Sequence, residues 1–244
     1  MQTLRAPERK TSVDLAVKSL YVDILDGIYP PGSFLRLNEV ADQMGMSMMP
    51  VREAIRELAA MGIVESIPHR GAQVRALTID DLIETYQGRL HLETLALRLG
   101  APLFGEKEKN KAISANQQRI AAVEHGTTVD VVTAHEAFHF ELYRSCRNPW
   151  IVKALLPGWR NAERYRSYSM RNEKLQNTLD AQHGLLIDAM AAQDTVAAVK
   201  LLHKHLTSAA QSVASELTGS DIMSQLPSVA ELLSISPQTL VKFA

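Results

Sequence analysis

The sequence has little of several things that would otherwise assign its class at once. Its 244 residues contain one cysteine, Cys146, so no intramolecular disulfide can form, and nothing around it marks a nucleophile. A small buried apolar residue is expected there. No window reaches the roughly 18 consecutive apolar residues of a membrane span, and the start, MQTLRAPERK, is polar rather than a signal peptide. The expectation is a chain with no membrane segment that stays in the cytoplasm. Neither charge is in excess. Net charge is −1, and residues 1–77 carry nine basic and nine acidic side chains, so any attraction to nucleic acid must come from a local patch. There is no internal repeat or low-complexity tract. The rest is an ordinary composition, 46% hydrophobic and 22% charged, long enough for one large domain or two small ones.

Helical periodicity supplies the organisation. From Ser12 to Asp26, Val13, Val17, Leu20, Ile24 and Leu25 recur at helical spacing, and Gly27 with Pro30-Pro31-Gly32 ends the run. Glu39 to Met44 form a short second helix that Asn38 can cap and Gly45 terminates. Ser47 caps a third helix to Met61, with Pro50 in its first turn and Val51, Ile55 and Leu58 as its buried stripe. Two short helices separated by Gly45 and Met46 are the sequence form of a helix-turn-helix, whose second helix enters the major groove. Two β-type runs follow, Ile63–Ile67 and Ala72–Arg75, bracketing Pro68-His69-Arg70-Gly71. They read as a hairpin wing whose tip offers Arg70 beside a glycine to a phosphate or a minor groove.

Thr78-Ile79-Asp80-Asp81 resembles a capping box and opens a region of helical periodicity without a convincing strand. Helices are expected near 78–100, 106–125, 129–146, 149–170, 173–192 and 195–217. The fold class is mostly α, an N-terminal winged helix-turn-helix plus a C-terminal all-α helical bundle. Residues 1–10 read as a flexible N-terminus, 11–77 as the DNA-binding domain, 78–219 as the bundle, and 220–244 as a tail without an assigned role.

These residues resemble a known family. PPGSFLRLNEVADQMGMSMMPVREAIRELAAMGIVESIPHRGAQV is similar to the GntR superfamily winged helix. RLHLETLALRLGA, HEAFHFELYRSCRNP and QHGLLIDAMAAQDTVAAVKLLHKHL resemble the FCD ligand domain of its FadR-like branch. The resemblance spans about residues 11–217. It implies DNA contacts at Asn38, Ser47, Met48, Arg52, Arg70 and Gly71, with Arg56 as a phosphate partner. The family usually carries arginine where this chain has Met48, so operator preference does not transfer from relatives. Arg52 and Arg56 share a helix face, which suits a common groove-facing role, or pairing with Glu53 or Glu57 in solvent.

His135 and His139 are four apart, one above the other on one helix face. His183 and His205 lie on consecutive helices at similar distances from the turn at Gln193-Asp194, so in an antiparallel hairpin they meet at one height. A single histidine on an apolar stripe is usually a satisfied core residue, but four that converge suit zinc, nickel or another first-row divalent ion. Metal-binding FCD members place an Asp or Asn where this chain has His135, so the resemblance implies the ligands His135, His139, His183 and His205 with His135 as the departure. His203 points elsewhere. Arg89 and Glu93 match the family's R-x-x-x-E pattern, which implies that Arg89 forks an effector carboxylate, while an intrahelical salt bridge explains the spacing as well.

His135-Glu136-Ala137-Phe138-His139 also spells H-E-x-x-H, the pattern of a zinc metallohydrolase with glutamate as base. Two further histidines would close the open position that catalysis needs, so no enzyme is expected. A regulator whose histidines hold no metal is the other alternative. The expected protein is a homodimeric regulator, acting as a repressor, on a pseudo-palindromic double-stranded DNA operator. It answers a small carboxylate through a metal-containing bundle.

Overall fold

Thr11 starts the first helix by a closed pair of caps: its hydroxyl accepts from the Asp14 N–H at 3.1 Å, and the Asp14 carboxylate accepts from the Thr11 N–H at 2.8 Å. The computed structural model describes residues 11–67, 71–169 and 173–234. The N-terminal segment 1–10 and Arg70 of the wing lie outside the described residues. The chain divides into two units, residues 1–76 and 77–244.

In the first unit, α1 (Ser12–Leu25) turns Ala16, Val17, Leu20, Tyr21 and Ile24 inward. Then come β1 (Phe34–Leu35), α2 (Leu37–Met44), α3 (Met48–Ala60), β2 (Val64–Ile67) and β3 (Gly71–Val74). The three strands form an antiparallel sheet with β3 in the middle, registered Leu35 to Ala72 on one side and Val64 to Val74 on the other. Leu20, Leu35, Val40, Val51, Leu58 and Val74 close a core between helices and sheet. Gly45, at φ 61°, ends α2 in the left-handed region that a side chain disfavours.

Two details differ from expectation. Pairing holds Phe34 and Leu35 extended, so α2 begins directly after Arg36 and Asn38 falls inside its first turn. The N-cap is therefore Arg36, with no side-chain cap bond, and Asn38 caps nothing. In α3 the buried stripe is Val51, Ala54 and Leu58, with Ile55 half-buried at its margin.

The second unit contains α4 (Ile79–Gly100), α5 (Glu106–His125), α6 (Thr128–Arg144), α7 (Pro149–Ser169), α8 (Glu173–Ala191), α9 (Thr195–Thr218) and α10 (Val229–Ser234). Thr78 caps α4 through the Asp81 N–H. The reciprocal half of the box is taken by Tyr165, whose hydroxyl accepts from the Thr78 N–H and donates to the Asp81 carboxylate at 2.6 Å. Helix α4 packs against α6, α7 and α9, and α8 pairs with α9 as a hairpin. The segment after Gly219 returns to the bundle as far as Ser234. Arg98 donates from Nη1 and Nη2 to the carbonyls of Leu232 and Leu233, Gln87 donates to the carbonyl of Gln225, and Ile222 and Leu232 are buried. Cys146 is buried as a free thiol.

Candidate functional site

The helix-turn-helix presents an exposed edge. Ser47 occupies the N-cap of α3 with extended backbone, but its hydroxyl makes no cap bond. Ser47, Met48, Arg52 and Arg56 are all exposed, as are Asn38 on α2 and Gly71 at the start of β3. Gly71 has φ +92°, a conformation that favours glycine, and it faces Ile67 across the wing. Arg56 donates to the Glu53 carboxylate at 2.6 Å, whereas Arg52 has no ion-pair partner among the described residues.

In the bundle, α6 supplies His135 and His139, α8 His183 and α9 His205. Their ligand atoms all lie within 4.8 Å of one another. His139, His183 and His205 are buried and His135 is half-buried. The hairpin register brings the His183 and His205 rings to 4.7 Å, as equal height predicts. Burial holds His139, His183 and His205 well below the ordinary histidine value and His135 down to about 4, with neighbouring imidazoles and arginines adding to the effect. Each imidazole is therefore neutral near pH 7, which is the ligating form.

For His139 and His205 the hydrogen bonds fix which nitrogen points inward. The Tyr143 hydroxyl has one proton and donates it to the Glu93 carboxylate. His139 Nδ1, 3.2 Å from that hydroxyl, must then be the donor, so its Nε2 carries the lone pair. His205 Nδ1 lies 3.1 Å from the accepting Oε1 of Gln182, His135 Nδ1 is 3.4 Å from Glu163, and His183 Nδ1 is 3.8 Å from Asp180. His139 and His205 thus each hold an oxygen partner on Nδ1, the arrangement that orients metal-bound histidines, while His135 and His183 have a carboxylate nearby but no hydrogen bond on Nδ1 among the described residues. His139 Nε2 and His183 Nε2 approach to 3.1 Å. With its proton on Nε2, His183 donates to His139 across this gap; with the proton on Nδ1, the two lone pairs suit a shared cation, since two nitrogens on one ion at about 2.0–2.1 Å stand about 3–4 Å apart. The donor set fits a first-row divalent ion.

Arg89 and Glu93 are joined inside the bundle. Arg89 Nε donates to Glu93 at 2.6 Å, with side-chain exposures of 8% and 1%, so this is a buried pair rather than the weak surface bridge expected from spacing alone. The Arg89 guanidinium also lies over the rings of Trp159, at 4.7 Å, and Tyr86, at 5.1 Å. Only its Nε is hydrogen bonded among the described residues, which leaves the terminal fork uncommitted. Burial alone would push Glu163 up, but Arg166 and His135 hold it well below the usual carboxylate range.

The sequence reading missed Tyr143, Asp180, Gln182, Glu163 and Trp159. Tyr143 stands four residues after His139 and Asp180 three before His183, which are legible same-face spacings. Glu163 and Trp159 arrive on α7 without a local signal. Glu136 does not join the histidines: it is one step around α6 and sits 3.7 Å from Arg160.

A winged helix-turn-helix followed by a helical bundle with a buried imidazole cluster defines the class of ligand-responsive, DNA-binding transcription regulators. The FCD domain matches residues 84–208, and the bacterial regulatory proteins of the gntR family match residues 14–74. The chain belongs to the GntR family of bacterial regulatory proteins, in its FCD-containing form. It is 35% identical over 146 residues, 59% of this chain and 64% of the relative, to a probable D-xylose utilization operon transcriptional repressor of Paenarthrobacter nicotinovorans. It is 25% identical over 206 residues, 80% and 92% of the two chains, to the transcriptional repressor GlaR of Escherichia coli K12. A GntR-type regulator from Rhodococcus sp. RHA1 shares the fold with a TM-score of 0.68 at 23% identity, covering 82% of this chain and 96% of the other.

Proposed function

We propose that two copies of the chain form a homodimer that represses transcription from a pseudo-palindromic operator in the cytoplasm, and that a small carboxylate sensed in the bundle changes its hold on DNA. The DNA contacts are assigned to Asn38, Ser47, Met48, Arg52, Arg70 and Gly71, with Arg56 reaching a phosphate by releasing Glu53. The observation that carries the sensory half is the convergence of His135, His139, His183 and His205 beside the free fork of Arg89. A divalent ion held by those imidazoles, zinc or nickel, supplies positive charge that favours an oxygen-rich anion. Arg89 orients the carboxylate by two parallel N–H···O bonds, and Trp159 and Tyr86 keep water off the guanidinium. Coupling to DNA requires that the effector bind the DNA-competent and incompetent states with different affinities. No enzymatic step is assigned: four imidazoles fill the coordination that a hydrolase leaves open, and Glu136 is engaged with Arg160.

The test has two arms. The protein should bind its own upstream region in a salt-sensitive, sequence-preferring manner, and Arg52→Ala should lose that binding without unfolding. Thermal-shift screening of organic acids with and without zinc or nickel should find an acid that stabilises only the metal-loaded protein. Sequence-indifferent binding refutes the first arm, and absence of stoichiometric metal after reconstitution refutes the second.

A further inference from the structure

The outward face of α3 carries apolar surface where a DNA-reading helix ordinarily carries charge. Val51, Ala54 and Leu58 are fully buried and fix the core-facing side. At about 100° per residue, Met49, Arg52 and Arg56 stand on the opposite side, with Met48 flanking Arg52. Met48 is 49% exposed and Met49 60% exposed, although each is a large apolar side chain. Positive charge on this face is thin. Arg56 is tied to Glu53, leaving Arg52 as the cation without an ion-pair partner among the described residues of the helix. Pro50 has no N–H, so the first turn also offers one donor fewer to a phosphate.

We propose that Met48 and Met49 form an apolar edge that selects thymine, through its C5 methyl, at the operator positions facing the first turn of α3. The proposal rests on the operator-binding reading above. In the major groove only thymine presents a methyl group, while guanine presents two acceptors and adenine an acceptor and a donor. A thioether has no donor and only a weak acceptor, so it gains little from a purine edge and most from burying a methyl. Its unbranched, polarizable chain also adapts to a surface more readily than a branched residue. Arg52 then supplies the polar contact one turn further along the helix. Met49 thereby joins the DNA-facing set, which sequence alone confined to Ser47, Met48, Arg52 and Arg56 on this element.

The experiment uses full-length protein and duplexes enriched by it from a random library. In each duplex, single thymines of the half-site are replaced by deoxyuridine, which removes the methyl and keeps the base pair. Loss of about fourfold in affinity is expected at one or two positions, the worth of one buried methyl. Met48→Ala/Met49→Ala should bind thymine and uracil equally there, with an unchanged melting temperature because both side chains are exposed. Uracil tolerated at every position, or discrimination that persists in the double variant, overturns the proposal while leaving operator binding intact. Failure to enrich any sequence overturns the operator reading itself, and the proposal with it.

Discussion

Tyr143→Phe removes one oxygen from the centre of a buried chain and tests the whole of it. The hydroxyl donates to Glu93, which also accepts from Arg89, and it accepts from His139 Nδ1. The ring itself is fully buried, so phenylalanine keeps the packing. Two groups are left short: a buried carboxylate loses a bond of about 1.5–3 kcal/mol, and an imidazole N–H loses its acceptor at about 1–3 kcal/mol. Together they destabilise the bundle by roughly 3–5 kcal/mol, which lowers the melting temperature of the metal-free protein by about 10 °C for a unit of this size. His139 also loses the partner that fixes its tautomer, so affinity for zinc should fall about 10- to 100-fold in a chelator-competition titration. Tyr168→Phe, at a half-exposed tyrosine on α7, is the control and should change neither. If Tyr143→Phe melts within 1–2 °C of wild type and binds zinc equally well, the Arg89–Glu93–Tyr143–His139 connection is wrong.

Acidification gives a second expectation for metal-free protein. The four imidazoles titrate below the value near 6.5 that they have when unfolded, so the unfolded chain binds more protons once pH drops below about 6.5. Stability is therefore full above that pH and is lost as pH falls toward 4, with His135 alone accounting for on the order of 3 kcal/mol. A melting temperature flat between pH 7 and 4.5 would count against buried neutral imidazoles. Gly100→Ala should destabilise by about 1–3 kcal/mol in chemical denaturation, because a Cβ there would stand 2.0 Å from Ser145 Oγ and 3.0 Å from the Cys146 backbone nitrogen. Gly88→Ala on the same helix, whose Cβ would meet nothing within 4 Å, should be neutral or stabilising. Equal effects of the two would refute the close approach of α4 to the end of α6.

The parts of the fold written in short-range chemistry were legible. Gly45 and Thr78 punctuate helices because each acts on the backbone within four residues of itself, and the six long bundle helices fall where such signals separate periodic runs, although the Thr11 cap and the left-handed Gly219 stop were not read from the sequence. Strand β1 was not legible, since two residues carry no alternation and Phe34–Leu35 become a strand only because β3 offers an unpaired edge. The return of Ile222 and Leu232 to the bundle was hidden for a related reason, being decided by Arg98 and Gln87 some 135 residues earlier. The same divide runs through the site. Helix periodicity paired His135 with His139 and hairpin register paired His183 with His205, the family resemblance joining the two pairs, whereas the burial of Arg89 and Glu93 depends on Trp159 from α7, which no spacing on α4 announces.

That distinction also decides how the H-E-x-x-H string is to be read. A helix places residues four apart on one face whatever lies between them, so two histidines at that spacing mark a shared direction and carry no information about Glu136. In a hydrolase the intervening glutamate must reach a water on the open side of the ion. Here His183 and His205 from the α8–α9 hairpin stand against His135 and His139, and Glu136 turns to Arg160 on α7. Burial raises the Glu136 carboxyl while Arg160 opposes the rise, so its charge is absorbed by a structural partner. The string and the imidazole cluster share two residues but make opposite demands on the space around them, and the hairpin fills with two further imidazoles the space that the string's chemistry would need open.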